Sequence, residues 1–172
     1  MIDITKQKLI DHEKYLKKDL FFTKKKWPQF NLLFDDVKKL SRKISNNSKI
    51  VFLERNLLYG GSSLFAPFFY KNDVISIDCS TKRIKQRGSY NLRFLKNPKI
   101  LKFGTKKTDN YKKISLKNNT ADLIIVPNLM HHISDFNKFL SECYRILKKD
   151  GKLYVFEPTF REQHQDPEDF FR

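Results

Sequence analysis

The stretch that decides the fold is residues 122–158, which reads "DLIIVPNLMHHISDFNKFLSECYRILKKDGKLYVFEP". Its "LIIV" run is apolar without alternation, which is typical of a parallel strand covered on both faces. Segment 134–151 then places its apolar residues on one helical face, offers a serine or an aspartate as an N-terminal cap, and ends at a glycine. The pattern predicts a strand over 121–127, a helix over 134–151 and a strand over 152–158.

The same alternation of short apolar runs and helix-length segments extends back towards the N-terminus. Apolar runs at 49–54, 73–78 and 99–103 predict three further strands. Strands that alternate with helices form a doubly wound, mostly parallel α/β sheet, and the ligand site of such a sheet lies beyond the carboxyl ends of its strands. The sequence therefore predicts about five strands in one Rossmann-like domain over 49–172.

Residues 1–48 have a different pattern, which is helical. Apolar residues recur at helical spacing within 4–22 and again within 28–44, where Pro28 suits the first turn of a helix. A cluster of serines and asparagines at 45–48 then breaks the pattern. We predict two amphipathic helices that form an N-terminal segment packed on the core of the α/β domain.

Length and composition indicate one globular domain. The chain has 172 residues, of which 40% are hydrophobic, and its 16 Phe and 7 Tyr are enough to build a core. No run of 18 apolar residues occurs and the charged start does not resemble a signal peptide, so we expect a cytoplasmic protein without a membrane partner. Cys79 and Cys143 have no C-x-x-C spacing, so we expect neither a disulfide framework nor a metal site.

The formal net charge of +16 raises the question of a polyanionic partner. Only 8 of the 35 basic residues are Arg, the residue best suited to bidentate phosphate contacts. The lysines are spread along a chain that is also rich in Asn and Ile, a mixture that codon bias in an AT-rich genome would produce. A nucleic-acid partner is therefore possible but not favoured, and its best local support is the basic stretch 101–113, "LKFGTKKTDNYKK".

Polar residues follow the predicted strands at the edge where a ligand would bind. Glu54 ends the first strand, Asp78 ends the second, Asn128 follows the fourth and Glu157 lies at the end of the fifth. Asp78 stands where a carboxylate can accept both ribose hydroxyls of a nucleoside cofactor. An aspartate at a strand end is also a common cap, and that interpretation stays open.

Residues 122–157 resemble the second half of a class I S-adenosylmethionine-dependent methyltransferase of the small-molecule type. The shared features are the apolar strand after an aspartate, the turn rich in leucine and histidine, and the helix ending in "RILKKDG" before the fifth strand. By order of elements the resemblance covers 49–158, with a divergent glycine-rich segment at 53–63, "LERNLLYGGSS". The family normally has seven strands, so we expect its C-terminal strands to be missing from this sequence.

The resemblance implies S-adenosylmethionine as the cofactor. A dinucleotide such as NAD needs a glycine-rich loop around its pyrophosphate, whereas S-adenosylmethionine has no phosphate. The glycine-poor segment therefore argues more strongly against NAD than against S-adenosylmethionine. The matched residues are Glu54 for the cofactor's amino group, Gly60, Gly61 and Ser62 for the loop beneath its methionine moiety and ribose, Asp78 for the ribose, Cys79 for the adenosine, and Asn128 and Leu129 for the region near the methyl group.

His131 and His132 lie where some enzymes of this family place a base that faces the substrate. A neutral imidazole is a natural proton acceptor near pH 7. The alternative is that one histidine caps a turn and the other packs in the core, because adjacent side chains are expected to point in different directions.

The tail "EPTFREQHQDPEDFFR" resembles an ending in one branch of these enzymes. Its Arg161 and His164 either contact an anionic substrate or belong to a solvated face.

The predicted function is transfer of a methyl group to a small-molecule acceptor by in-line displacement, with His131 or His132 removing a proton. One alternative is a catalytically inactive binding module of the same fold, which Arg55 and the missing glycines favour. The other alternative is a basic polyanion-binding domain, which charge alone favours.

Overall fold

The computed structural model describes residues 29–54, 65–78, 102–107 and 111–157. That part of the chain contains two α-helices, five strands and two short 3₁₀ turns. The elements are α1 (Gln29–Lys43), β1 (Lys49–Glu54), a 3₁₀ turn (Ala66–Phe69), β2 (Asp73–Asp78), β3 (Lys102–Lys107), β4 (Ala121–Pro127), a second 3₁₀ turn (Met130–His132), α2 (Phe136–Ile146) and β5 (Leu147–Phe156).

The five strands form one sheet in the order β3-β2-β1-β4-β5, and all neighbouring strands pair in parallel. The chain moves outward from β1 to β3 and then returns to the other side of β1 with β4. The switch point of the sheet therefore lies between the carboxyl ends of β1 and β4, where ligands of open α/β sheets bind. This arrangement confirms the predicted doubly wound parallel sheet.

Apolar side chains cover both faces of the sheet. α1 and the first 3₁₀ turn cover one face, and α2 with segment 111–116 covers the other. The central strands β1 and β4 are therefore buried on both faces, which explains their runs of apolar residues without alternation. The first face includes Leu33, Phe34, Val37, Phe52, Phe65 and Phe69, and the second includes Val51, Leu53, Tyr111, Ile124, Phe139, Cys143 and Ile146.

Cys143 is a core residue on the buried side of α2. Burial in these apolar surroundings, with a smaller effect from the charge of Glu142, raises the pKa of the Cys143 thiol to about 12. The thiol therefore stays protonated and packs as a small apolar side chain. Cys79 lies outside the described residues.

α1 confirms the second predicted helix within one residue at each end. Its buried face packs on β1, and the side chain of Asp36 accepts a hydrogen bond from the hydroxyl of Tyr154 in β5 at 2.9 Å. Burial, together with this bond to a carboxylate, raises the pKa of the Tyr154 hydroxyl above its usual range. The first predicted helix, within 4–22, lies outside the described residues, and no described helix is long and apolar enough to cross a membrane.

The third strand lies further along the chain than the sequence predicted. We predicted a strand over 99–103, whereas β3 runs from Lys102 to Lys107 and pairs with the whole length of β2. Backbone pairing with Asp73–Asp78 defines β3, and an edge strand needs fewer apolar side chains than a central one. The apolar pattern therefore located this strand but placed its end too early.

The helix after β4 is shorter than predicted. We predicted a helix as far as 151, but α2 ends at Ile146, and Leu147 adopts an extended conformation (φ −68°, ψ 140°) and begins β5. Leu147 pairs with Ala121, and a bulge then precedes the pairing of Leu123 with Lys152. Leu147, which the sequence pattern assigned to the helix, is therefore paired with β4 instead, and residues 148–151 form the bulge.

Gly151 is required by this bulge and not by the end of a helix. A Cβ atom on Gly151 would lie 2.9 Å from the carbonyl oxygen of Ala121 and 3.0 Å from that of Lys148. These are backbone atoms of paired strands, so they cannot move away without breaking the sheet.

Tyr111 joins the carboxyl ends of β1 and β2. Its ring is buried edge-on against Phe139, with 6.0 Å between centroids. Its hydroxyl lies between the carbonyl oxygens of Glu54 and Ile77, at 2.9 Å from the latter, and donates its one proton to these acceptors. Tyr111 thus fixes the two strand ends next to the switch point.

We predict that Gly151→Ala destabilises the protein by about 1–3 kcal/mol, because the new methyl group overlaps backbone oxygens. Urea unfolding followed by circular dichroism should show a lower midpoint with an unchanged slope. The matched control is Asp150→Ala, an exposed neighbour, which should change the free energy of unfolding by less than about 0.5 kcal/mol. Equal stability of the two variants would contradict the close approach.

We also predict that Tyr111→Phe lowers the free energy of unfolding by about 1–2 kcal/mol, because buried carbonyl oxygens lose their donor. Tyr144→Phe is the control, since Tyr144 is 84% exposed and the same oxygen is removed there without consequence. Both variants are measured by urea unfolding, and a Tyr111→Phe protein as stable as wild type would show that the hydroxyl does not hold the strand ends.

Candidate cofactor and active site

Glu54 ends the central strand β1 and is completely buried. The hydroxyl of Ser76 in β2 donates to Glu54 Oε1 at 2.8 Å. A buried carboxylate without partners is costly, so this bond helps to explain how an acid is tolerated after four buried apolar residues. The sequence analysis predicted Glu54 as a site residue but not Ser76. A serine inside the apolar run of β2 was the feature that could have indicated a partner for this acid.

Asp78 stands opposite Glu54 in the register of β1 and β2. Both residues are the last of their strands, so both backbones reach the same edge of the sheet, next to the switch point. This agrees with the position that the sequence predicted for a ribose-binding acid, while the ribose contact itself stays a prediction.

Asn128 directly follows β4 on the other side of the switch point. Its backbone is left-handed (φ 50°), a conformation that asparagine tolerates better than most residues, and its N–H donates to the carbonyl oxygen of Phe156 at 2.7 Å. Its side-chain oxygen Oδ1 is buried and has no hydrogen-bond partner among the described residues. A buried acceptor without a donor is unfavourable, so this oxygen is a candidate to receive a donor from a ligand.

Leu129, predicted to line the cofactor, is completely buried in the core on the α2 face. Its carbonyl oxygen accepts a hydrogen bond from the backbone N–H of His132 at 2.9 Å. The Leu129 side chain therefore serves packing, and a cofactor contact by this residue would come from its backbone.

Glu157 organises the turn that carries the two histidines. Its Oε2 accepts a hydrogen bond from the backbone N–H of Met130 at 2.9 Å, and its Oε1 lies 2.5 Å from Nδ1 of His131. Both side chains are mostly buried. The carboxylate thus fixes the 3₁₀ turn and the orientation of the imidazole together. Glu157 was not among the predicted site residues, although its place directly after β5 marked it as a candidate.

The expectation that the two histidine side chains point in different directions is wrong. The ring centroids of His131 and His132 are 3.8 Å apart and the rings are inclined by 45°. The tight 3₁₀ turn Met130–His132 brings neighbouring side chains closer than extended backbone would. The two imidazoles therefore form one cluster near the carboxyl end of β4, with Glu157 on His131.

Six of the predicted site residues lie outside the described part of the chain. Their predicted roles are neither supported nor contradicted by the geometry above. They are Gly60, Gly61 and Ser62 in the divergent segment, Cys79 after β2, and Arg161 and His164 in the tail.

Comparison with known proteins identifies the family. A profile of the family described as "Methyltransferase domain" matches residues 59–155, more than half of the chain. One stretch of 45 residues, 26% of this chain, is 33% identical to the probable polyketide synthase 42 of Dictyostelium discoideum, of which it covers 2%. So short a match adds nothing about function.

Solved structures with the same fold include three informative examples. An S-adenosylmethionine-dependent methyltransferase from Aquifex aeolicus superimposes with a TM-score of 0.58 at 20% identity, over 77% of this chain and 69% of its own. The YcgJ protein of Bacillus subtilis gives 0.59 at 14% identity, over 72% and 50%. Coclaurine N-methyltransferase bound to N-methylheliamine and S-adenosylhomocysteine gives 0.55 at 16% identity, over 72% and 34%. The chain thus spans about two thirds of the first of these proteins, half of the second and a third of the last.

The family match and the sheet order together confirm the resemblance seen in the sequence. They also agree with S-adenosylmethionine as the cofactor of the family, because structural neighbours include enzymes named for that cofactor. The chain belongs to the methyltransferase-domain family and has the fold of the class I S-adenosylmethionine-dependent methyltransferases.

Proposed function

We propose that this protein is an S-adenosylmethionine-dependent methyltransferase that acts on a small-molecule acceptor. The observation that carries the proposal is the buried Oδ1 of Asn128 at the switch point, across from the buried carboxylate of Glu54. This oxygen has no hydrogen-bond partner in the part of the chain that the structure describes. Family membership and the named activities of the structural neighbours support it.

The residues at the switch point fit the chemistry of S-adenosylmethionine. The cofactor offers hydrogen-bond donors in its ammonium, its ribose hydroxyls and its adenine amino group. The chain offers acceptors: the carboxylate of Glu54, the acid predicted at Asp78 and the amide oxygen of Asn128. When bound, the cofactor supplies an electrophilic methyl group on its sulfonium.

His131 is the candidate general base, with Glu157 as the residue that positions it. Nδ1 of His131 lies beside the carboxylate of Glu157. In the tautomer that we propose, Nδ1–H donates to this carboxylate and Nε2 is the nitrogen that takes the proton. The same carboxylate stabilises the imidazolium that forms when His131 takes a proton from the acceptor's hydroxyl, amine or acidic C–H group. Fixing the base in one tautomer and one direction provides the orientation that in-line displacement needs.

Asn128→Gly tests the cofactor site. Glycine keeps the left-handed backbone without strain and removes only the amide, so S-adenosylhomocysteine should bind about 10-fold more weakly, as expected for the loss of one buried hydrogen bond. Isothermal titration calorimetry gives the dissociation constant. Asn119→Gly is the matched control, because Asn119 has nearly the same left-handed backbone (φ 51°) but is exposed and precedes β4. Absence of S-adenosylhomocysteine binding by the wild-type protein would favour the inactive binding module. An equal loss of affinity in the two variants would contradict a role of Asn128 in cofactor binding.

His131→Ala and Glu157→Gln test the base. With labelled S-adenosylmethionine and a panel of small acceptors bearing hydroxyl, amine or acidic C–H groups, His131→Ala should lower kcat about 100-fold or more. Glu157→Gln should lower kcat about 10- to 100-fold, as the loss of an orienting partner does. Neither change should weaken S-adenosylhomocysteine binding by more than about 3-fold. The control is Tyr144→Phe on the exposed side of α2, and turnover equal to that of wild type in both site variants would end the proposal for the base.

A further inference from the structure

Ser76 is a buried polar residue in the apolar run of β2. It is 1% exposed, and its hydroxyl donates to Oε1 of Glu54 at 2.8 Å. A buried hydroxyl is unfavourable unless it is hydrogen-bonded, so packing alone does not explain a serine at this position. The bond to Glu54 therefore makes Ser76 a candidate partner of the proposed cofactor site.

The register of the sheet does not by itself bring Ser76 and Glu54 together. Ser76 stands opposite Phe52, two residues before Glu54, whereas Glu54 stands opposite Asp78. Because side chains of a strand alternate between its faces, Ser76 and Glu54 share the face of Val74 and Phe52, which α1 covers. The Glu54 side chain therefore leans back along the sheet towards Ser76 and does not continue past the end of β1.

Glu54 is held at two points by side chains from other parts of the chain. The hydroxyl of Ser76 holds its carboxylate, and the hydroxyl of Tyr111 contacts its backbone carbonyl oxygen. Both contacts are buried, and a hydrogen bond is electrostatically stronger in such surroundings than in water. The direction of the carboxylate thus depends on its neighbours and not on the strand alone.

A carboxylate held by a hydroxyl can still attract a cation. Its two oxygens have about four acceptor positions, so one bond from a serine does not exhaust its capacity for donors. A serine is also neutral, whereas a lysine or arginine in its place would offset the negative charge that a ligand's ammonium group needs. Ser76 therefore orients the acid and leaves its charge in place.

We propose that Ser76 is a positioning residue of the cofactor site, which orients the carboxylate of Glu54 towards the ammonium group of S-adenosylmethionine. This inference rests on the proposed function and on the role that the family resemblance implies for Glu54. Ser76 acts through the acid and does not contact the cofactor. Its hydroxyl should therefore matter for ligands that carry the ammonium group and should not matter for the adenosine part.

The test compares two ligands that differ only in this ammonium group. One is S-adenosylhomocysteine, and the other is its deaminated analogue, in which a hydrogen atom replaces the α-ammonium group. Isothermal titration calorimetry gives the Kd of each ligand for the full chain of wild type, Ser76→Ala and Ser141→Ala. Ser141 is the matched control, because it is an exposed serine whose hydroxyl bonds the carbonyl oxygen of Asn137 within its own helix.

Ser76→Ala should weaken the binding of S-adenosylhomocysteine about 10-fold, as expected when a buried bond to a charged group is lost. It should weaken the binding of the deaminated analogue by less than about 2-fold. Ser76→Thr retains a hydroxyl and should recover most of the lost affinity. In a Glu54→Gln background, Ser76→Ala should have little further effect, because the two residues act together.

Three results would contradict the inference in different ways. Equal weakening of both ligands by Ser76→Ala would show that Ser76 supports only the folded structure. Tight binding of S-adenosylhomocysteine by wild type and by Ser76→Ala alike would show that Glu54 does not need the serine, while the proposed function would stand. Failure of wild type to bind either ligand would overturn the proposed function and this inference together.

The fold of each variant is checked by circular dichroism, because Ser76→Ala removes a donor from a buried acid. If Ser76→Ala does not fold, Ser76→Cys replaces it, since a thiol has nearly the volume of the hydroxyl but is only a weak donor. Ser76→Cys should show the same selective loss for S-adenosylhomocysteine. Wild-type affinity of Ser76→Cys for both ligands would count against the inference.

Discussion

The burial of β1 on both faces and both edges is the constraint on which the structure depends. β2 and β4 pair with its two edges, and residues 50–54 are completely buried. A strand in this position must be apolar and must satisfy all its backbone groups within the sheet. Its last residue, Glu54, is nevertheless an acid, held by the hydroxyl of Ser76, and the hydroxyl of Tyr111 reaches the Glu54 carbonyl. The fold therefore tolerates a buried acid, whose desolvation is unfavourable, at the carboxyl end of β1.

The pairing of β4 with β5 builds the other half of the proposed site. It sets the carbonyl of Phe156 beside the backbone N–H of Asn128, which fixes that residue in its left-handed conformation. One residue later, Glu157 reaches back to Met130 and His131. One strand pairing thus produces both a buried amide oxygen that has no donor among the described residues and a histidine oriented by a carboxylate. This connection explains why the cofactor acceptor and the proposed base lie at the same edge.

Much of the architecture followed from local patterns. The apolar runs predicted β1, β2 and β4 with their bounds, because strands buried on both faces have few alternatives in composition. The helical spacing in 28–44 predicted α1, and the polar residues at strand ends predicted Glu54 and Asn128 as residues at the ligand edge. These features depend on neighbours in the chain or on a rule of the fold, and so the sequence by itself determined them.

Tertiary structure decided what depends on distant partners. Pairing with β4 ended α2 at Ile146, and pairing with β2 extended β3 to Lys107. The Glu157–His131 pair and the contacts of Arg145 with segment 114–118 join residues more than 25 positions apart in the sequence. The periodicity of a helix or a strand therefore cannot predict them. The tight turn at Met130–His132 placed two imidazoles together where adjacency suggested divergence. Side chains meet across a sheet because of register and packing, and these are properties of the folded chain as a whole.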